Sequence, residues 1–219
     1  MRGYVRRGGT SCREPPSTPM TWRQVRRSII ELTNAGGHIL KCSHYVPAFI
    51  PENAALPCVV YCHRNSGCRA DANEAAIILL SSNITVFTLD FSGSGLSGGD
   101  YVSLGWHKKE DLKCAVSCLR SNKQVSSIGL WSRSMGAVTS LLYGAEDPSI
   151  AGMVLDSAFT NLYDLMMEPV DVYKIRVPKF TLEQMSNGLC QSPPLCLSMI
   201  AGARIGNWQV AGSITTWHI

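Results

Sequence analysis

From residue 56 onward, short apolar segments alternate with segments of helical periodicity, and this alternation restricts the fold more than any other feature. Residues 56–61 and 84–89 are almost continuously apolar, which is typical of strands buried on both faces. Helical spacing of apolar residues follows at 71–81 and 106–119. Further strand and helix segments are predicted at 125–131, 135–144 and 151–155. The sequence therefore predicts an α/β fold whose mainly parallel sheet has helices on both faces.

Two alternating segments precede this region and predict an antiparallel hairpin at one edge of the sheet. They span residues 28–32 and 38–44 and are joined by Asn34-Ala35-Gly36-Gly37. Asn and Gly readily adopt the positive φ that hairpin turns require. Asp71, at the start of the first helical segment, is the expected N-cap of that helix.

Positive charge is concentrated in the first thirty residues, which hold seven arginines and one acidic residue, Glu14. Because the net charge of all 219 residues is only +4, the remainder of the chain is slightly acidic. This excludes a basic nucleic-acid-binding body, and no nucleic-acid partner is expected. Residues 1–27 are predicted to be a disordered basic tail, with peripheral contact to acidic lipid as a further hypothesis.

Nine cysteines, an odd number, lie mostly in apolar segments. Buried reduced thiols and a cytoplasmic location fit this distribution better than a disulfide framework. Cys58, Cys62, His63 and Cys68 could be considered as metal ligands, but their spacing matches no common zinc pattern. No metal and no cofactor are expected.

Ser134 lies in the pentapeptide Ser132-Arg133-Ser134-Met135-Gly136, directly after a predicted strand and before a predicted helix. A sharp strand–turn–helix elbow exposes a serine hydroxyl and directs the next backbone N–H towards the same point. The usual pattern is Gly-x-Ser-x-Gly, and Ser132 occupies the first glycine position. On the pentapeptide alone, an ordinary turn between strand and helix remains the simpler interpretation.

The segment Gly93-Ser94-Gly95-Leu96-Ser97-Gly98 formally matches the dinucleotide-binding fingerprint, with Glu110 or Asp111 at the distance of a ribose ligand. However, another strand–helix unit precedes it and no apolar helix follows immediately. A glycine-rich loop without a nucleotide is the better interpretation. The loop 63–67 after the first buried strand could present backbone N–H groups to an oxyanion, or be a simple polar turn.

Taken together and in this order, His63 with its loop, Asp90-Phe91-Ser92-Gly93-Ser94-Gly95-Leu96-Ser97, and Ser134 resemble the α/β-hydrolase superfamily. The similarity is greatest to the intracellular branch of serine-aminopeptidase-like proteins and depalmitoylases, including plant members. It covers residues 30–182. The resemblance implies the α/β-hydrolase fold with an N-terminal antiparallel hairpin.

The resemblance implies a role for each matching residue. Ser134 is expected to be the nucleophile, and the backbone N–H groups of Met135 and Asn65 the oxyanion hole. His63 is expected to organise its loop rather than act as a base. Arg64 occupies a family glycine position, where positive φ would introduce strain, and Ser132 is expected to crowd the elbow.

The acid and the histidine of the triad normally follow the nucleophile along the chain. After Ser134 the sequence contains a single histidine, His218, and Asp156 ends a predicted strand. Asp156 and His218 are therefore weak substitutes for the missing pair, and the resemblance implies a structural role for Asp156. Without a base, an oxyanion hole and a binding site retain only a small part of the catalysis of a complete triad.

The functional expectation is a serine hydrolase of an ester, thioester or peptide bond, impaired because the triad acid and base are absent. Its expected organisation is an incomplete α/β-hydrolase domain at 28–182, lacking the last strands, and an unrelated C-terminal tail at 183–219. Residues 161–179 are a candidate lid. The alternatives are a non-catalytic binding or regulatory protein and a chain that does not fold stably. The expected partner is a small acyl or peptide substrate.

Overall fold

The computed structural model describes residues 25–159, apart from residues 49, 51–53 and 104. This part of the chain contains six strands and three helices, and strands and helices alternate from the third strand onward. A short 3-10 helix, Arg69–Ala72, precedes the first α-helix. The strands are β1 (Val25–Thr33), β2 (Ile39–Pro47), β3 (Leu56–Cys62), β4 (Thr85–Leu89), β5 (Val125–Arg133) and β6 (Gly152–Asp156). The helices are α1 (Asn73–Ser81), α2 (Lys108–Ser121) and α3 (Met135–Glu146).

The six strands form one sheet in the order β1-β2-β4-β3-β5-β6. β2 is antiparallel to both β1 and β4, whereas β3 is parallel to β4 and β5, and β5 is parallel to β6. The predicted mainly parallel sheet with an N-terminal antiparallel hairpin is confirmed. Because β3 to β6 run in the same direction, the loops that follow these four strands lie along one edge of the sheet.

Helices cover both faces of the sheet, as predicted. The larger core lies between the sheet and helices α2 and α3, and it includes Phe87, Leu112, Val116, Leu130 and Met135. The smaller core lies under α1. Its members are Tyr45, Tyr61, Ala72, Ala75, Ala76 and Val86.

Most element boundaries differ by one to three residues from the sequence prediction, and the starts of β1 and α1 are the two that change an interpretation. β1 begins at Val25 rather than at residue 28, because Val25, Arg26 and Arg27 continue the ladder with β2. α1 begins at Asn73, and its N-cap position is Ala72, which has no side chain that could cap the helix. Asp71 is therefore not the N-cap; its carboxylate lies 3.9 Å from the guanidinium of Arg64.

Several predictions concern residues outside the described part of the chain. They are the basic tail up to residue 24, the candidate lid at 161–179, the C-terminal tail at 183–219 and His218. In the described part, no helix is long and apolar enough to cross a membrane.

Candidate active site

The turn between β5 and α3 places Ser134 in a rare backbone conformation. Its φ is 50° and its ψ is −114°, a conformation that costs a non-glycine residue about 1–3 kcal/mol. The Ser134 N–H donates to the Asp156 carbonyl at 2.8 Å, and the Ser134 carbonyl accepts the N–H groups of Ala137 and Val138. The predicted strand–turn–helix elbow is thus present, and backbone bonds to β6 and α3 hold it in place.

Gly136 explains how closely the helix can approach the sheet at this elbow. A Cβ at this position would overlap the carbonyl oxygen of Cys62 and lie 2.8 Å from that of His63. Any side chain would therefore push α3 away from the end of β3. The last glycine of the pentapeptide is required by this contact, not by an unusual φ.

Ser132, at the first glycine position of the motif, does not crowd the turn. It is fully buried at the end of β5, and its φ is not in the left-handed region. Its hydroxyl forms a hydrogen bond of 2.5 Å with the hydroxyl of Ser140 on α3. The expected strain is absent at Ser132 because the extended strand accepts any side chain there and Ser140 satisfies the hydroxyl.

Met135 is the first residue of α3, so its backbone N–H has no acceptor within the helix. The side chain of Met135 is fully buried in the core, which fixes this first turn of α3. An N–H without an acceptor among the described residues, next to the elbow serine, is the arrangement that an oxyanion hole needs.

The loop after β3 holds Asn65, the second predicted oxyanion residue. Gly67 N–H donates to the Arg64 carbonyl at 3.0 Å and closes a turn. Asn65 Oδ1 accepts the N–H of Ser66 at 3.0 Å. The left-handed residue in this loop is Ser66, with φ 59°, and not Arg64. Arg64 therefore carries no backbone strain, contrary to the expectation from its glycine position.

His63 ties this loop to the loop after β4. Its Nδ1 donates to the Arg64 carbonyl at 2.7 Å, which leaves Nε2 to accept the N–H of Phe91 at 3.1 Å. Burial lowers the pKa of His63, so the ring is neutral at physiological pH. With both ring nitrogens engaged, His63 organises the two loops and has no free lone pair for a proton from Ser134.

Asp156, at the end of β6, is engaged by its neighbours. Its Oδ2 lies 2.9 Å from Arg133 Nε, and its Oδ1 accepts the hydroxyl of Ser157 at 2.8 Å. Its backbone carbonyl accepts the Ser134 N–H. Of these contacts, the bond to the backbone carbonyl is the one that braces the elbow from β6.

Left-handed backbone is concentrated at this edge of the sheet. Four described residues other than glycine have positive φ, and three are serines that follow β3, β5 and β6: Ser66, Ser134 and Ser157. The fourth, Asn83, follows α1. Strained backbone of this kind clusters at functional sites, which supports the edge around Ser134 as the site.

The glycine-rich loop after β4 is built around the buried carboxylate of Asp90. This carboxylate accepts the backbone N–H groups of Arg69 and Leu96 and an ion pair from the Arg69 guanidinium at 3.2 Å. A Cβ at Gly95 would overlap the Asp90 carboxylate. The loop is therefore packed around an internal anion.

Backbone contacts leave this loop unsuited to a dinucleotide. The N–H groups of Gly93, Ser94, Ser97 and Gly98 all donate to carbonyl groups of the protein. α2 begins ten residues after Gly98, so no helix N-terminus adjoins the loop. The formal fingerprint is structural, as the resemblance implies.

Asp111, considered above as a ribose ligand, is buried in α2. It accepts the Asn34 amide at 2.6 Å, and the Ser92 N–H and hydroxyl at 2.8 and 2.7 Å. Lys108 is 1% exposed, and its ammonium donates to the Ser92 carbonyl and, at 3.0 Å, to the Ser92 hydroxyl. Burial lowers the pKa of Lys108 to about 8. No sequence pattern predicted this buried lysine at a helix start, where positive charge is disfavoured.

The described cysteines are all free thiols, and Cys42, Cys58, Cys62 and Cys68 are buried. Burial raises the pKa of Cys58 and that of Cys62 to about 11, so both are neutral thiols. Among the residues that the structure describes, no group of three or more His, Cys, Asp or Glu side chains could hold a metal ion.

The comparisons with known proteins agree with this architecture. The esterase Pf2001 of Pyrococcus furiosus superimposes with a TM-score of 0.61 at 22% identity, covering 83% of this chain and 70% of that one. XC6422 of Xanthomonas campestris, described as a serine hydrolase without a lid, superimposes with a TM-score of 0.53 at 22% identity, and the match covers 62% of each chain. At these identities the similarity concerns the fold.

One curated relative is the uncharacterized protein YqkD of Bacillus subtilis (strain 168). It is 28% identical over 124 residues, which amount to 56% of this chain and 39% of YqkD. The chain therefore spans well under half the length of this relative. The profile of the family described as serine aminopeptidase, S33, matches residues 54–190. This match covers more than half of the sequence, and the chain belongs to the serine aminopeptidase S33 family of α/β-hydrolases.

Proposed function

We propose that Ser134 is the nucleophile of a serine hydrolase that acts on an ester, thioester or peptide bond, and that the 219-residue chain performs this reaction slowly. The observation that carries the proposal is the strained elbow, with φ 50° at Ser134 and a helix starting at Met135. Left-handed backbone at a serine between a buried strand and a helix has a cost that surrounding contacts must offset. Presentation of the hydroxyl to a substrate explains why that cost is maintained.

The mechanism follows from this geometry. The Ser134 hydroxyl attacks the substrate carbonyl carbon, and the carbonyl oxygen becomes an oxyanion. The Met135 N–H, which has no acceptor within α3, would donate to this oxyanion, with the Asn65 N–H as the second donor. Collapse of the intermediate forms an acyl-serine and expels the alcohol, thiol or amine, and water then releases the acid.

Proton transfer is the step for which the described residues provide no partner. No hydrogen bond joins Ser134 to a histidine in the part of the chain that the structure describes. His63 has both ring nitrogens engaged, and His44 is buried with its Nε2 3.8 Å from Cys58 Sγ. His218 lies outside the described residues and is the remaining candidate downstream of Ser134. Loss of one triad member leaves roughly 10³–10⁴-fold catalysis over water, so slow turnover is expected.

A non-catalytic acyl- or peptide-binding protein is the second candidate. It is favoured by the contacts of Asp156, whose carboxylate pairs with Arg133 and Ser157 and with no histidine of the described residues. Such a protein would keep the fold and the substrate site but lack turnover.

A fluorophosphonate probe tests the proposal directly on the 219-residue chain, with Ser134→Ala as the principal variant. We expect slow, stoichiometric labelling of wild type that is abolished in Ser134→Ala, and weak hydrolysis of an activated ester. Ser157→Ala is the matched control, because Ser157 also has positive φ, 56°, at the same sheet edge. This control should keep the labelling.

His218→Ala tests whether His218 is the base that activates Ser134. If His218 is the base, its removal should lower the labelling rate by a factor of a hundred or more; if Ser134 reacts without a base, the rate should not change. Wild-type labelling no faster than that of Ser134→Ala, together with saturable binding of an acyl ligand, would instead establish the binding protein.

A further inference from the structure

A small polar cluster lies directly beneath the elbow, inside the hydrophobic core. Ser132 Oγ and Ser140 Oγ are 2.5 Å apart, and both residues are fully buried. The side chain of Cys62 is also fully buried, and burial raises the pKa of its thiol while the two serine hydroxyls act in the opposite direction. Polar groups in such a core are costly unless each finds a partner, and here the two serine hydroxyls are paired with each other.

The three residues belong to the three elements that define the elbow. Ser132 is two residues before Ser134 on β5, Cys62 ends β3, and Ser140 lies on α3. Gly136 packs against the carbonyl group of this same Cys62. The cluster thus joins α3 to the ends of both strands at the height of the strained serine.

We propose that Ser132, Ser140 and Cys62 are positioning residues that keep Ser134 in its left-handed conformation and hold the Met135 N–H beside it. A strained conformation persists only when its surroundings over-determine it. The Ser134 N–H bond to Asp156 fixes one side of the elbow, and the cluster fixes the side that faces α3. The catalytic part of this inference rests on the proposed nucleophile, whereas the conformational part does not.

If the cluster contributed only to overall stability, loss of its hydroxyls would affect the elbow no more than loss of any other buried hydroxyl. Thr85 provides such a hydroxyl as a matched control. The buried hydroxyl of Thr85 donates to the Pro57 carbonyl at 3.2 Å. Thr85 is at the start of β4, whereas the elbow follows the end of β5, so the two sites lie at opposite edges of the sheet. Thr85→Val removes a comparable buried hydroxyl without touching the elbow.

The experiment compares Ser132→Ala, Ser140→Ala, the double variant and Thr85→Val in the 219-residue chain. Amide hydrogen exchange at Ser134 and Ala137 reports the elbow without requiring any activity. Fluorophosphonate labelling at several probe concentrations gives the maximal rate and the half-saturating concentration separately. Ser132→Ala and Ser140→Ala break the same bond from opposite sides, so either one tests the cluster if the other does not fold.

We expect each alanine variant to accelerate exchange at Ser134 about tenfold more than Thr85→Val does. The maximal labelling rate should fall roughly three- to tenfold with an unchanged half-saturating concentration. The double variant should be no slower than the single variants, because the hydroxyls act as one unit. Cys62→Ser, which keeps a hydrogen-bonding side chain, should behave like wild type.

Equal exchange at Ser134 in the alanine variants and in Thr85→Val would overturn the inference, whatever the labelling shows. If wild type is not labelled at Ser134 but the alanine variants still accelerate exchange there, the positioning cluster stands and the proposed nucleophile fails. If exchange accelerates and labelling keeps its wild-type rate, the cluster holds the elbow but does not position the reaction, and the catalytic part of the inference is refuted.

Discussion

Replacement of the buried Lys108 by methionine is expected to change the pH dependence of stability in a defined direction. Burial lowers the pKa of Lys108 from its ordinary value of 10.5 to about 8. Between these two values the unfolded chain binds more protons than the folded chain, so the contribution of Lys108 to stability rises as pH increases. The charged lysine is least favourable to the fold below pH 8.

The magnitude follows from the two pKa values. At pH 7, burial of the charged lysine costs about 3 kcal/mol, and at pH 9.5 the remaining cost is about 1.4 kcal/mol. The free energy of unfolding of wild type should therefore rise by about 2 kcal/mol between pH 7 and pH 9.5 because of this residue, and Lys108→Met should lack this rise. The lost bonds to Ser92 affect the variant at both pH values and largely cancel from the difference.

Urea unfolding of both proteins at pH 7 and pH 9.5 measures this effect. Cysteine and tyrosine ionisation also changes stability at high pH, but it occurs in both proteins and cancels when they are compared. Lys123→Met, which alters an exposed lysine, should show the wild-type pH dependence. A stability difference between wild type and Lys108→Met that is equal at the two pH values would refute the reasoning.

Two further substitutions test the packing around the site. Gly136→Ala should destabilise the fold by about 3 kcal/mol or more, or prevent soluble expression. Gly152→Ala is the control, because a Cβ at Gly152 meets nothing within 4 Å, and it should cost less than about 1 kcal/mol. Equal thermal stability of the two variants would contradict the close approach of α3 to β3. Asp90→Ala should cost about 3–5 kcal/mol in urea unfolding, because it leaves the partly buried Arg69 guanidinium and two N–H donors unpaired. The exposed Asp100→Ala should cost less than about 0.5 kcal/mol. A loss below about 1 kcal/mol for Asp90→Ala would show that water replaces the carboxylate.

The succession of strands and helices, the mainly parallel sheet with its N-terminal hairpin and the strand–turn–helix position of Ser134 were accessible from the sequence, because each depends on local patterns. The order of the strands within the sheet was not predicted. Continuous apolar runs identify strands buried on both faces, and parallel strands bring the loops after them to one edge. The pentapeptide around Ser134 combines a strand, a serine and a helix within a few residues. The order of three motifs along the chain, rather than any one of them, indicates the α/β-hydrolase fold.

The details of the site depend on contacts between distant residues and were not accessible in the same way. The hydroxyl of Ser132 is satisfied by Ser140 on α3, and this pairing does not follow from spacing along the chain. The expected strain at Arg64 was wrong because the left-handed position is Ser66, two residues later. Lys108 lies at the start of a helix, where the helix dipole disfavours a positive charge. Its burial is explained by its hydrogen bond to Ser92, whose hydroxyl in turn donates to Asp111.

The close contact of Gly136 with the end of β3 has a consequence for how this fold can accommodate ligands of different size. With no side chain between them, α3 and β3 leave no space through which the helix could slide along the sheet. The serine at its start is therefore a fixed point of the molecule. Among the described residues, adjustment to a longer or wider acyl group is therefore expected in the loop 63–67 and at residues 157–159, and diversification of this part of the scaffold is best directed to those two segments.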